Sequence, residues 1–237
     1  MGYLYDLHCH NKEGSVCSRL PAKDMVDFYI KQGYDGFVVT NHFTGSTTVP
    51  PEYTWEERID HYYNSYKLCA DYAEGKNIKV FFGIEYSILK FGTHEMRKIM
   101  GNDFVILGLT KEWLKTNKDT FDKSTNELFD EVHKAGGFII HAHPFLEEGW
   151  ISHIQLFPMK EDAVEIMNMG VDDETNAKAK WYAETYNKLT TGGTDIHFTD
   201  IPYVSGVECE NECNTIEDLI GEIKSGSTKI IHKAVIE

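Results

Sequence analysis

The chain has 237 residues, of which 41% are hydrophobic, and its 38 acidic against 23 basic residues leave a formal net charge of −15. This charge argues against nucleic acid or an anionic membrane as a partner, because both are bound mainly through lysine and arginine. No run of about eighteen apolar residues is present to span a membrane, and the first residues, MGYLYDLH, lack the pattern of a signal peptide. We therefore expect a cytoplasmic protein with one domain, residues 1–237.

Short apolar segments rich in β-branched and aromatic residues alternate with helical patterns along the chain. The segments that predict strands are residues 3–8, 36–40, 79–84, 104–107, 138–140, 163–166 and 189–191. Residues 204–207 and 229–231 predict two further strands, at an edge or a closing point of the sheet. Seven or so βα units joined by short links indicate a parallel sheet, closed as a barrel or left open.

Helices are predicted between these strands. Residues 22–32 follow a proline and have one apolar face, and the segments STNE and TIED each match the capping box that begins a helix. Residues 55–72 carry aromatic side chains at roughly helical spacing. We interpret that stripe as packing against the sheet.

Ligand-type side chains recur at the carboxyl ends of the predicted strands. They are His8 and His10 after the first strand, His42 after the second, Glu85 after the third, His141 and His143 after the fifth, and Asp195 and His197 after the seventh. This edge carries the active site in parallel α/β barrels. One histidine at a strand end is commonly structural, but chance seldom repeats the placement so often. Imidazole and carboxylate together suit Zn²⁺, Mn²⁺ or Fe²⁺, so the pattern predicts a metal site.

The order of these motifs resembles the PHP family, named for polymerase and histidinol phosphatase. The matching segments are DLHCH, TNH, GIE, AHP and GTDIH, and they extend from about Asp6 to His197, over most of the chain. The resemblance implies a distorted (β/α)7 TIM-like barrel with two or three divalent metal ions (Zn, Mn or Fe) at the carboxyl ends of the strands. It further implies a metal-dependent phosphoesterase that hydrolyses a small phosphomonoester or phosphodiester through a metal-bound hydroxide.

The resemblance also implies which side chains hold the metals. The first metal is expected to bind His8, His10, Glu85 and Asp195. The second is expected to bind Glu85 and His143, and the third His42 and His197. Glu85 would bridge the first two metals. For His141 two roles stay open, as a ligand or as a hydrogen-bonding partner of one.

Catalytic roles are expected in addition. His197 or His42 would protonate the leaving oxygen if it is not fully engaged with a metal. Arg19, or Lys12 in the same loop, would neutralise the phosphoryl oxygens.

Three positions depart from the family pattern. Asn41 stands where the family often has aspartate. Many members place Asp or His shortly after the HxH pair, where NKEGSVC offers Glu13 and then Cys17. We expect Glu13 as that ligand, because a thiolate beside catalytic metals would risk oxidation. The histidine that usually precedes the fourth-strand glycine is missing, and Asp103 or His94 is the expected substitute.

Two other functions stay open. An amidohydrolase-like enzyme acting on a non-phosphate substrate uses similar metal ligands, although no lysine ends a strand here in the position that a carboxylated lysine would need. A metal-binding module without catalysis is weakly favoured by Asn41 and by the altered fourth-strand motif. The sequence predicts neither the substrate nor an oligomeric state.

Overall fold

The computed structural model describes residues 2–88, 102–148, 151 and 153–236, which form a sheet covered by helices. The strands are β1 (Tyr3–Cys9), β2 (Gly36–Val39), β3 (Lys79–Ser87), β4 (Asp103–Leu107), β5 (Phe138–Ala142), β6 (Ala163–Asn168), β7 (Leu189–Gly193), β8 (Tyr203–Cys209) and β9 (Lys229–Ala234). The helices are α1 (Ala22–Lys31), α2 (Trp55–Ala73), α3 (Lys111–Thr116), α4 (Thr125–Lys134), α5 (Asp173–Thr185) and α6 (Ile216–Ser225), with a 3-10 helix at Lys118–Asp122. Every predicted strand and helix is present.

The strands follow one another in the order β7-β6-β5-β4-β3-β2-β1-β8-β9. β1, β2 and β3 are parallel, and so are β5, β6 and β7. β4 is antiparallel to both of its neighbours, and β8 and β9 extend the sheet antiparallel to β1. The expectation of a wholly parallel sheet is therefore wrong at β4. The count of seven βα units is not confirmed, since β5 and β6 are joined without a helix among the described residues.

The sheet is nearly closed into a barrel, because β1 meets the segment that follows β7. The backbone N–H of Asp195 donates to the carbonyl of His8 at 2.8 Å, and that of His10 donates to the carbonyl of Ile196 at 3.1 Å. The carboxyl ends of the first and last parallel strands are thus neighbours. Residues nearly two hundred positions apart in the sequence reach one place by this route.

Alternate residues of each strand face the same side, and the inner side is apolar. Tyr5 and Leu7 of β1 lie in one buried cluster with Val38 of β2, Val105 of β4 and Ile140 of β5. The intervening residues pack against α1 and α2 on one flank and against α2 and α4 on another. The barrel is therefore filled by side chains, and polar chemistry is confined to its edge.

The helices begin and pack as the sequence predicts. Reciprocal capping boxes begin three of them, at Thr54 with Glu57, Ser124 with Glu127 and Thr215 with Asp218. The aromatic stripe of α2 packs on the sheet, with Tyr63 and Tyr66 against Phe82 of β3. In the part of the chain that the structure describes, no helix has both the length and the apolar character to cross a membrane.

Candidate metal centre

The ligand-type residues that follow the parallel strands come together at one edge of the barrel, with the exception of His141. Those that converge are His8 and His10 from β1, His42 after β2, Glu85 from β3, His143 after β5, and Asp195 and His197 after β7. They meet because parallel strands of one sheet place their carboxyl ends at the same edge.

Glu85 lies in the middle of this group and is buried. Its Oε1 is 3.1 Å from Nε2 of His8 and 3.4 Å from Nε2 of His143. Its Oε2 is 3.6 Å from Nε2 of His10 and contacts Nδ1 of His42. A carboxylate with two imidazoles at each oxygen has the arrangement of a bridging metal ligand.

Asp195 lies across the group from Glu85. Its Oδ1 is 3.1 Å from Nε2 of His10 and 3.6 Å from Nε2 of His8, and its Oδ2 is 3.9 Å from Nε2 of His143. The backbone is left-handed at both Asp195 (φ 53°) and His143 (φ 28°), where residues other than glycine are uncommon. Backbone strain of this kind is typical of functional sites.

Four groups of three residues among those that the structure describes have their ligand atoms within 4.8 Å of one another. They are His8, His10 and Glu85; His8, His143 and Asp195; Glu85, Asp103 and His143; and His10, His42 and His197. The first three share members and form one continuous centre. The fourth adjoins that centre through His10.

Asp103 reaches the centre because β4 is antiparallel. It is the first residue of β4 and pairs with the last residues of β3 and β5. The amino end of β4 therefore lies at the edge where the parallel strands end, which brings Asp103 to Glu85 and His143. His94, the other substitute considered from the sequence, lies outside the described residues.

The group of three histidines is stacked. The ring of His10 lies 4.5 Å, between centroids, from the rings of both His42 and His197. Nε2 of His10 is buried, and its 3.1 Å contact with Oδ1 of Asp195 lacks the geometry of a hydrogen bond. A buried nitrogen without a hydrogen bond among converging imidazoles and carboxylates fits a cation.

The charges at this edge depend on one another. Burial raises the pKa of Glu85 and Asp195, but the adjacent imidazoles outweigh it and hold both pKa values well below their usual range. Burial lowers the pKa of His8, yet the neighbouring carboxylates raise it well above its usual value. Burial and two neighbouring imidazoles lower the pKa of His10 to about 3. The two carboxylates and His10 are thus already in the deprotonated forms that bind metals.

Glu165 of β6 orients two of these residues and was missed in the sequence. Its Oε1 is 3.1 Å from Nδ1 of His8, and its Oε2 accepts from the backbone N–H of His143 at 3.0 Å and from Nδ2 of Asn168 at 2.8 Å. A carboxylate at Nδ1 keeps the proton on that nitrogen and leaves Nε2 free for the centre. The available signal was a single carboxylate in the otherwise apolar segment AVEIM.

Asn41 lies beside the centre, in a network that orients two histidines. Its Oδ1 accepts from the N–H of Asn11 at 2.9 Å and from the hydroxyl of Ser15 at 3.0 Å, and its Nδ2 donates to Oδ1 of Asn11 at 2.9 Å. The Ser15 hydroxyl in turn lies 3.1 Å from Nδ1 of His10 and accepts from the N–H of His42. Aspartate would lack the donor to Asn11, which explains the amide here.

Glu13 belongs to none of the four ligand groups among the residues that the structure describes, and its expected role as a metal ligand stays a prediction. Its Oε2 accepts from the backbone N–H of Ala22 at 3.0 Å, at the start of α1. Pro21 offers no side-chain cap there, so the carboxylate satisfies a donor that the helix leaves unpaired. Cys17, in the same loop, has its Sγ 3.1 Å from Nε2 of His197.

His141 packs toward the helices and belongs to none of the four ligand groups among the described residues, and the two roles considered for it stay open. Its Nδ1 lies 2.8 Å from Oε2 of Glu161, and the Tyr182 hydroxyl donates to the other oxygen of the same carboxylate. Its ring stacks on Phe104 at a centroid distance of 4.5 Å. Because successive side chains of β5 lie on opposite faces of the sheet, His141 lies on the face opposite the barrel interior.

Arg19 and Lys12 are exposed in the loop that follows β1. The backbone N–H of Arg19 donates to the carbonyl of His197 at 2.9 Å. Its main chain therefore lies next to the stacked histidines, and its side chain is exposed to solvent.

No protein-family model and no curated protein matches the chain. Several solved structures are similar to it in fold. A protein named as a metal-dependent phosphoesterase from Bifidobacterium adolescentis is 13% identical with a TM-score of 0.58, over 94% of this chain and 96% of that one. An amidohydrolase from Chromobacterium violaceum, with bound sulfate and no metal, is 13% identical with a TM-score of 0.56, over 96% and 97%.

The lesion-specific endonuclease PfuEndoQ from Pyrococcus furiosus is 12% identical with a TM-score of 0.55, over 98% of this chain and 58% of that one. Identities this low show similarity of fold alone. The expectation that nucleic acid is not a partner finds no support among these structures, because one of them is an endonuclease. The mixed α/β sheet, its near closure and these neighbours together confirm a TIM-like barrel fold shared with metal-dependent hydrolases of known structure.

Proposed function

We propose that the protein is a metal-dependent hydrolase that cleaves a small phosphate ester. The observation that carries this proposal is Glu85, a buried carboxylate in contact with four imidazoles and shared by two of the ligand groups. Such a carboxylate holds two cations close together, which is the arrangement of many enzymes that transfer or hydrolyse phosphate esters.

The residues fit two or three divalent cations, with zinc, manganese or iron favoured by the mixture of imidazole and carboxylate. The proposed ligands of the first cation are His8, His10, Glu85 and Asp195. Those of the second are Glu85, Asp103 and His143, and those of the third are His42 and His197. The hydrogen bond from His8 to Glu165 would hold one ligand in place. When bound, the cations would supply Lewis acidity and lower the pKa of a coordinated water.

His42 and His197 are the proposed proton donors to the leaving oxygen. Their side chains are 18% and 21% exposed, whereas those of His8 and His10 are fully buried, so a substrate can reach them. Burial lowers the pKa of His197, but Cys17 and other neighbours raise it, which favours the protonated form needed by an acid. Either imidazole would serve when the third cation position is empty.

Arg19 is proposed to neutralise the phosphoryl oxygens. The N–H of Arg19 donates to the carbonyl of His197, next to the candidate centre, and its side chain is exposed to solvent. Arginine suits this role because its planar group can donate two parallel hydrogen bonds to phosphate.

A small substrate is favoured over nucleic acid by charge. With 38 acidic against 23 basic residues, the molecule repels a polyanion along any extended contact. A compact phosphate ester needs only the local positive charge of the cations and Arg19.

The test is hydrolysis before and after removal of metal. We expect chelator-treated protein to lose turnover of phosphate monoesters and diesters, and to regain it with Mn²⁺ or Zn²⁺. His8→Ala should lower kcat/KM by at least about a hundredfold, since it removes a central ligand. The matched control is His232→Ala, in β9 and outside the ligand groups, which should retain activity.

Three results would contradict the proposal. Turnover of amides or lactones alone would indicate the amidohydrolase-like alternative. Cleavage of lesion-containing DNA without cleavage of small esters would overturn the small-substrate proposal. Tight metal binding with no turnover of any of these substrates would leave a metal-binding module.

A further inference from the structure

Cys17 is the one exposed cysteine of the five in the chain. Its thiol lies at the mouth of the metal centre, with Sγ 3.1 Å from Nε2 of His197. It belongs to the same loop as Glu13, the metal ligand that the sequence predicts there.

The neighbours of Cys17 hold the thiol in this position. The N–H of Val16 donates to the carbonyl of Ser46 at 2.8 Å. The hydroxyl of Ser18 donates to the carbonyls of His10, at 2.8 Å, and of His197, at 3.1 Å. Cys17 is therefore attached on both sides to the segments that carry the histidines, and its approach to His197 is built into the loop.

We propose that Cys17 is a thiolate ligand of the third cation, together with His42 and His197, and that it makes this position select zinc over manganese. The inference rests on the proposed metal centre and adds a ligand and a metal preference to it. Thiolate and imidazole are soft or borderline donors that suit zinc, whereas manganese prefers oxygen.

The geometry requires little movement. In a tetrahedral zinc site, bonds of about 2.3 Å to sulfur and about 2.0 Å to nitrogen separate the two ligand atoms by roughly 3.6 Å. Sγ of Cys17 and Nε2 of His197 are 3.1 Å apart, so both can bind one ion after a displacement of about half an ångström. The proton between sulfur and nitrogen would leave when the ion enters.

A second observation points to an ion at this place. The ring of His10 stacks on both His42 and His197, while its buried Nε2 faces Asp195 at 3.1 Å in the adjoining cation position. Ligand atoms of His10, His42 and His197 lie within 4.8 Å of one another, and the thiol of Cys17 contacts the last of these imidazoles. The two other cation positions are lined by imidazole and carboxylate, so the sulfur distinguishes the third position chemically.

The experiment is a titration of the metal-free protein with Co²⁺, a spectroscopic substitute for zinc. We expect a sulfur-to-cobalt charge-transfer band in the near ultraviolet, and we expect Cys17→Ser to lack it. The matched control is Glu13→Gln, in the same loop, which keeps an oxygen that can accept from Ala22 and should retain the band. Persistence of the band in Cys17→Ser would overturn the inference.

Metal preference and thiol protection give two further readouts. Cys17→Asp exchanges sulfur for oxygen at the third cation position. The ratio of zinc affinity to manganese affinity at that position should therefore fall by at least about tenfold. In the wild-type protein, zinc should block alkylation of Cys17, as followed by mass spectrometry of the peptide. Equal alkylation rates with and without zinc would contradict the inference even if the variants failed to fold.

These readouts separate the inference from the proposed function. A cobalt band without ester hydrolysis would support the Cys17 ligand and contradict the phosphoesterase. Ester hydrolysis without a Cys17-dependent band would support the phosphoesterase and contradict the ligand.

Discussion

Glu165 and Glu161 are two buried carboxylates that each lie within hydrogen-bonding distance of Nδ1 of a histidine, but only one of these histidines lies in the metal centre. Glu165 contacts His8, whose Nε2 faces Glu85. Glu161 contacts His141, which packs between the sheet and the helices. Substituting the two glutamates one at a time therefore distinguishes two effects. One is the orientation of a metal ligand, and the other is the stability that a buried hydrogen bond provides.

We predict that Glu165→Gln lowers kcat by about ten- to a hundredfold and weakens metal binding. All the partners of Glu165 are donors, namely Nδ1 of His8, the N–H of His143 and Nδ2 of Asn168. The glutamine NH₂ must oppose one of them, which disturbs His8 or the strained backbone at His143. Steady-state kinetics and equilibrium metal binding measure the effect.

The control is Glu161→Gln, the same chemical change at an equally buried carboxylate. It is expected to lower the free energy of unfolding, because Tyr182 and His141 both rely on that carboxylate. Metal affinity should stay close to that of the wild type. Equal losses of metal affinity in the two variants would show that Glu165 acts only through stability.

At the scale of elements, the centre depends on the joint between β1 and β7. Thr194 follows β7, and its backbone N–H donates to the buried carboxylate of Asp6 in β1 at 3.0 Å. Its hydroxyl also donates to Asp6, and it accepts from the N–H of Ser205 in β8 at 3.0 Å. The Thr194 side chain therefore connects the end of β7 to β1 and β8, and Thr194 immediately precedes Asp195 in the sequence.

We predict that Thr194→Val lowers the free energy of unfolding by about 1–3 kcal/mol, because the carboxylate of Asp6 loses a donor and the N–H of Ser205 loses its acceptor. Valine keeps the branched shape, so packing is nearly unchanged. Chemical denaturation gives the value. The matched control is Thr191→Val in β7, whose buried hydroxyl has no hydrogen-bond partner among the described residues and should be neutral or stabilising. A similar loss in both variants would contradict the explanation.

At the scale of the molecule, the edge of the barrel concentrates buried carboxylates in a protein whose net charge is already −15. Cations bound there offset local repulsion and link strands that are distant in the sequence. Binding to the folded state alone stabilises it by about 4 kcal/mol when the free ion is a thousandfold above its Kd.

We therefore predict that Zn²⁺ or Mn²⁺ raises the Tm of chelator-treated protein by about 10 °C, given a few degrees per kcal/mol for a chain of this size. Calcium is the control ion, since it prefers sites made wholly of oxygen and should have little effect. Glu85→Gln should remove most of the increase. An equal increase with calcium would indicate general binding to the acidic surface.

Much of the fold and the centre follows from local patterns. The short apolar segments and the capping boxes predicted the strands and helices, because burial and helix ends impose those patterns directly. Ligand-type residues follow several of the predicted strands. Because parallel strands end at one edge of the sheet, this pattern predicted that His8, Glu85 and Asp195 converge. The motif order added the expectation of a TIM-like barrel.

Other features depend on contacts that no local pattern encodes. The antiparallel direction of β4 is set by its pairing with β3 and β5, and it alone brings Asp103 to Glu85. Spacing in the loop after β1 could not separate Glu13 from Cys17, because the choice depends on the start of α1 and on the distance to His197. The sequence by itself determined which residue types gather at the barrel edge, through strand periodicity. Only the tertiary structure decided which of them touch, because strand direction and loop path are properties of the packed molecule.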